Sequence, residues 1–76
     1  MKNNNEGFRV RAYGRTELAK LYSPELKPQS AYKRLLMWIY TSPELSELLL
    51  ENGKPAKSRI FTPYKVKNIV RYLGEP

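Results

Sequence analysis

Residues Arg15–Ile39, RTELAKLYSPELKPQSAYKRLLMWI, read as two helices joined by a short proline-rich turn, and the rest of the chain is disposed around them. In the first helix Leu18, Leu21 and Tyr22 follow the i, i+3, i+4 spacing that builds one apolar face, with Ala19 as a small residue between them. After Ser23-Pro24-Glu25-Leu26 the chain restarts at Lys27-Pro28. Proline suits the first position of a helix, where its missing N–H has no partner to lose. The second helix then runs to about Tyr40. On a wheel of about 3.6 residues per turn, Ala31, Tyr32, Leu35, Leu36, Trp38 and Ile39 share one arc. Gln29, Ser30, Lys33, Arg34 and Met37 fall opposite, so the outward face is cationic and hydrogen-bonding. A short helix, a tight turn and a second helix with such a face is the outline of a helix-turn-helix, whose second helix enters the DNA major groove. A plain packing hairpin has the same local pattern.

The composition narrows the function. A chain of 76 residues makes one domain with a small core. It has no cysteine, histidine or aspartate, so the usual thiolate and imidazole metal ligands and the commonest general base are missing. The expectation is a non-enzyme without cofactor or small-molecule substrate. The opening MKNNNEG has no apolar segment, and no run nears the ~20 apolar residues of a membrane span. A soluble, cytoplasmic chain with no membrane partner is expected. Fourteen Lys and Arg against seven carboxylates give a formal charge of +7. Such an excess attracts polyanions, nucleic acid among them, although lysines also serve solubility alone.

Residues 1–7 are asparagine-rich and aperiodic, and are expected to be a disordered tail, leaving 8–76 as a single domain. Phe8, Val10 and Ala12 alternate with Arg9, Arg11 and Tyr13, the pattern of a strand with one buried face. Arg9 and Arg11 would then share its wet side, as solvated residues or as phosphate contacts. Gly14 or Thr16 caps the first helix, with Glu17 in its first turn. A third helix follows the Ser42 cap and Pro43, buries Leu45, Leu48 and Leu49, and stops at Asn52-Gly53. Its charges, Glu44, Glu47 and Glu51, are all acidic, so it should face away from nucleic acid. Ile60-Phe61 is short and apolar enough to pair with Phe8–Ala12 in a two-stranded ribbon, which needs the helices for support. The last helix has Thr62 as cap, Pro63 as first residue, a buried stripe of Val66, Ile69, Val70 and Leu73, and Gly74 as its end. Tyr64, Lys67, Asn68 and Arg71 lie on its opposite face. Between Asn52 and Gly74 every charge is positive.

The segments FRVRAYGRTELAKLYSPEL, KPQSAYKRLLMWI with Trp38, SPEL and the closing FTPYKVKNIVRYLGEP resemble a small bacterial family known as domain of unknown function family 4248. The resemblance covers nearly everything after the tail. It implies one compact unit and supplies no catalytic residues, and the matching LGEP ending implies a complete chain.

The expected fold is mainly α, with four short helices including a helix-turn-helix-like pair and a short N-terminal strand in a ribbon. Its core would hold Phe8, Val10, Leu18, Leu21, Leu35, Trp38, Ile39, Leu48, Leu49, Phe61, Val66, Ile69, Val70 and Leu73. The expected function is double-stranded DNA binding, possible regulation included. Gln29, Ser30, Lys33 and Arg34 would read the groove, Arg9, Arg11 and Lys20 would contact phosphates, and Lys67 and Arg71 would form a further clamp. The rival is a protein-interaction module or adaptor in which Tyr32, Met37, Tyr40 and Tyr64 bind a protein partner or a second copy. Basic residues gathered around the second helix favour DNA, whereas an exposed apolar patch favours a protein partner.

Overall fold

The computed structural model describes residues 8–76; the expected tail lies outside them. The order is β1 (Tyr13–Gly14), α1 (Arg15–Tyr22), α2 (Pro28–Thr41), α3 (Pro43–Leu49), β2 (Leu50–Glu51), β3 (Lys54–Pro55), β4 (Ile60–Phe61) and α4 (Pro63–Leu73). The fold is mainly α, with four helices and two short antiparallel strand pairs.

The ribbon joins the amino-terminal segment to the residues before the last helix, but at a different place from the one the alternation indicates. Tyr13 pairs with Phe61 and Gly14 with Ile60, and residues 8–12 carry no strand. The reason is Tyr13. Its ring is buried, Phe8 stacks on it at 5.3 Å with planes 9° apart, and its hydroxyl donates to the Arg9 carbonyl at 2.8 Å. These contacts fold the segment back on Tyr13, and Val10 is left 51% exposed instead of buried.

The helix starts follow the sequence. The Gly14 N–H donates to the Glu17 carboxylate at 3.0 Å, Ser42 Oγ accepts from the Leu45 N–H at 3.3 Å, and Thr62 Oγ1 accepts from the Lys65 N–H at 3.3 Å. Each bond satisfies a donor that the first turn leaves without a helical partner. At the other end of α4, Gly74 takes φ +87° and its N–H donates to Val70, a backbone conformation that glycine adopts without steric cost.

The centre of the core is Leu18 and Ala19 of α1, Ala31, Leu35 and Ile39 of α2, Leu45 and Leu49 of α3, and Val66 and Ile69 of α4, together with Tyr13. Leu21 and Leu48 lie outside it, exposed by 45% and 37%. On α1 the buried axis is rotated towards Ala19, which is fully buried, and α1 packs chiefly against α2. Trp38, expected at the centre, sits at its edge. The narrow Ala31-Leu35-Ile39 ridge fills the space between helices, and Trp38 meets Tyr22 edge-on at 6.2 Å.

The third helix ends at Leu49, before Asn52-Gly53. Asn52 and Gly53 both have positive φ, 56° and 78°, and turn the chain so that Leu50 pairs with Pro55 and Glu51 with Lys54. Two consecutive left-handed residues match the twist of a tight hairpin, and Asn-Gly is the pair best suited to them.

Candidate nucleic-acid interface

The residues expected to read DNA divide into two groups. Gln29, Ser30 and Lys33 are exposed on α2. Arg34 is turned towards the connection between α1 and α2. Its Nη1 donates to Glu25 Oε2 and to Ser23 Oγ, both at 3.2 Å, and its guanidinium lies 5.8 Å from the Trp38 ring centroid. Ser23 is 1% exposed, so Arg34 satisfies a buried hydroxyl and clamps the turn. Lys20 acts on the same turn, its Nζ donating to the carbonyls of Pro24 at 2.9 Å and Leu26 at 2.5 Å. The structure thus employs two of the expected DNA contacts in holding α1 and α2 together.

Gln29 and Lys33 line a concave surface of about 500 Å³ with Tyr32 and Leu36 of α2, Arg15 and Thr16 of α1, and Arg59 just before β4. Three cations meet there without a carboxylate in the lining. Arg15 is held in place from two sides. Its guanidinium lies 4.8 Å from the Tyr32 ring centroid, a geometry in which the negative face of the ring attracts the cation. Its backbone N–H donates to the Arg59 carbonyl at 2.9 Å, so the ribbon itself fastens Arg59 beside it. Such a cleft suits an anion with several acceptor oxygens, because like charges lining one concavity reinforce one another.

Arg9 and Arg11 line a separate hollow of about 460 Å³ with Phe8, Tyr13, Glu17, Leu21 and Pro76. Arg11 is already engaged there. Its guanidinium stacks 3.8 Å from the Tyr13 ring centroid, pairs with Glu17 at 3.2 Å and donates to the Ala12 carbonyl at 2.7 Å. The Glu17 carboxyl is held below its ordinary 4.5, first by the Gly14 N–H bond and then by Arg11. A carboxylate that ionises so readily offsets the arginine, which makes this hollow a poorer anion site than the Arg15–Lys33–Arg59 cleft.

Lys67 and Arg71 are exposed on α4 and do not line the cleft. Lys65 and Arg15 line one small cavity of about 20 Å³, so the base of α4 adjoins the cleft. Arg15, Thr16, Tyr32 and Arg59 are lining residues that the sequence does not assign to DNA contact. The signal for two of them lies in the ribbon register, since pairing Gly14 with Ile60 places Arg15 opposite Arg59.

Among the described residues no group of His, Cys, Asp and Glu could hold a metal ion, and no helix is long and apolar enough to cross a membrane. The chain belongs to the domain of unknown function family DUF4248, whose model matches residues 9–76. No curated protein and no solved structure matches it.

Proposed function

We propose that this protein is a non-enzymatic DNA-binding protein that uses α1 and α2 as a helix-turn-helix-like pair. The reading rests on one observation: Gln29 and Lys33 of the exposed face of α2 share a carboxylate-free cleft with Arg15, Thr16 and Arg59. Arg15, Lys33 and Arg59 take phosphates. Gln29 and Ser30, on the first turn of α2, reach base edges, where a glutamine amide matches the donor and acceptor of adenine. Arg34 and Lys20 set the angle between the helices instead of contacting DNA directly. A regulatory role in the bacterial cytoplasm is consistent with such a module.

The test is titration of a labelled duplex with the protein at several salt concentrations. Binding that weakens steeply with salt is expected, because each phosphate contact releases condensed counterions. A wild-type protein that binds no duplex at low salt leaves the protein-interaction module as the better reading. That alternative draws on Met37 and Tyr40, three residues apart on α2 and exposed by 62% and 48%. It loses Tyr32, which is half-buried beneath Arg15.

A further inference from the structure

The outer face of α4 has a composition that neither the core nor the cleft explains. At helical spacing, Tyr64, Lys67, Asn68, Arg71 and Tyr72 fall on one arc opposite Val66, Ile69, Val70 and Leu73. Tyr64 is 61% exposed and Tyr72 44%. Neither cation takes part in an ion pair among the described residues, and the helix contains no acidic residue. The face therefore presents two aromatic rings with two cations between them in sequence. Its neighbour α3 has the opposite character, with Glu44, Glu47 and Glu51 at or just beyond it, so positive charge is concentrated on one side of the pair.

We infer that the Tyr64–Tyr72 face of α4 is a stacking platform for single-stranded nucleic acid. Bases offer flat π-faces to the tyrosines while Lys67 and Arg71 neutralise the intervening phosphates, the combination by which proteins hold single strands without reading sequence. Tyr64 and Tyr72 are separated by about 12 Å along the helix, at about 1.5 Å per residue. That exceeds the ~3.4 Å between stacked neighbouring bases, so the rings receive two non-adjacent bases. An acidic amphipathic peptide fits less well, because it needs apolar pockets for its own side chains and this arc has no aliphatic residue. The platform adjoins the cleft through Lys65 and Arg15 but requires no duplex contact there.

The experiment measures binding of a labelled oligothymidylate and of a duplex to the full chain, by fluorescence anisotropy at several salt concentrations. The variants are Tyr64→Ala with Tyr72→Ala, the same pair to Phe, and Lys33→Ala with Arg59→Ala. The double alanine variant should lose roughly tenfold or more in single-strand affinity per ring removed. The phenylalanine pair should retain single-strand binding, since it keeps the rings. Circular dichroism establishes that each variant is folded. The cleft variant should affect duplex binding and spare the single strand, so a protein that binds single strands but no duplex upholds this inference while the cleft reading fails. Equal single-strand affinity in the wild type and the folded double alanine variant overturns the inference. So does no single-strand binding at low salt, or a self-association that the tyrosine substitutions abolish.

Discussion

The Arg15 N–H donates to the Arg59 carbonyl at 2.9 Å, one bond beyond the Tyr13–Gly14/Ile60–Phe61 ribbon. This bond brings together two cations, one from the start of α1 and one from the loop before β4, in the lining of the cleft that Lys33 completes. A ribbon of two residues per strand is too short to be stable by itself, and its role here is to position these side chains.

Lys33→Ala combined with Arg59→Ala should therefore weaken duplex DNA binding while the fold persists. Both residues are exposed, and surface substitutions of this kind change stability by only about 0.5 kcal/mol. If each contacts one phosphate, the log-log salt slope becomes shallower by about two units, at ~0.9 per contact. An unchanged slope and affinity would remove both residues from the interface.

Arg34→Ala should act on the fold, in contrast to its neighbour Lys33. The Arg34–Glu25 pair is exposed, at 39% and 60% of the side chains, so by itself it contributes at most ~1 kcal/mol. The bond to the buried Ser23 hydroxyl adds a comparable loss when its partner is removed, about 1 kcal/mol. Denaturant melts should show Arg34→Ala less stable than Lys33→Ala, and a cycle with Ser23→Ala should give non-additive losses. Additive effects would mean that the Ser23 contact contributes nothing.

The helices were legible because their starts are chemically explicit. Ser42-Pro43 and Thr62-Pro63 combine a side-chain acceptor with a residue that needs no N–H, and the Val66, Ile69, Val70, Leu73 stripe admits one orientation of α4. The hairpin had an equally explicit sign in Asn52-Gly53, but that pair also suits the end of a helix, and α3 precedes it directly. The strand at Phe8–Ala12 failed because period-two alternation says nothing about the Tyr13 hydroxyl, which finds the Arg9 carbonyl nearby and folds the segment locally. The site divides in the same way. Gln29 and Lys33 follow from the helix period, whereas Arg15 and Arg59 meet only through the register of a tertiary pairing. For Arg34 the helix wheel indicates a direction but not the partner, and Glu25 and Ser23 lie within its reach.

The Glu17 carboxylate gives the start of α1 a small, local sensitivity to acid. Its folded pKa is lowered, so its contribution to stability is fully present above the ordinary 4.5 and is lost as pH falls through the folded value. The Gly14 N–H is the larger cause and Arg11 the smaller. Arg11→Ala should therefore raise the Glu17 pKa without returning it to 4.5, as followed by carboxyl carbon chemical shifts. A full return to 4.5 would show that the helix cap does not hold the carboxylate in solution.

Tyr22 should make the opposite end of the pH range visible. Its hydroxyl donates to the Gly74 carbonyl, its ring meets Trp38 edge-on, and burial, with a smaller push from the Glu75 charge, raises its pKa to about 12. The folded state therefore keeps this phenol protonated after the unfolded chain has begun to ionise near 10. Its contribution to stability is fully present below about pH 10 and is lost as pH rises through 12. Ultraviolet titration of the six phenols should show a late component that is absent in Tyr22→Phe. Glu75→Gln should move that component down only slightly, because burial is the larger cause. Tyr22→Phe should also loosen the carboxy-terminal residues from α1, seen as faster amide exchange at Gly74 and Glu75. Should the late component survive Tyr22→Phe, another tyrosine carries it; should amide exchange at Gly74 and Glu75 stay unchanged, the Tyr22–Gly74 bond does not fasten these residues to α1.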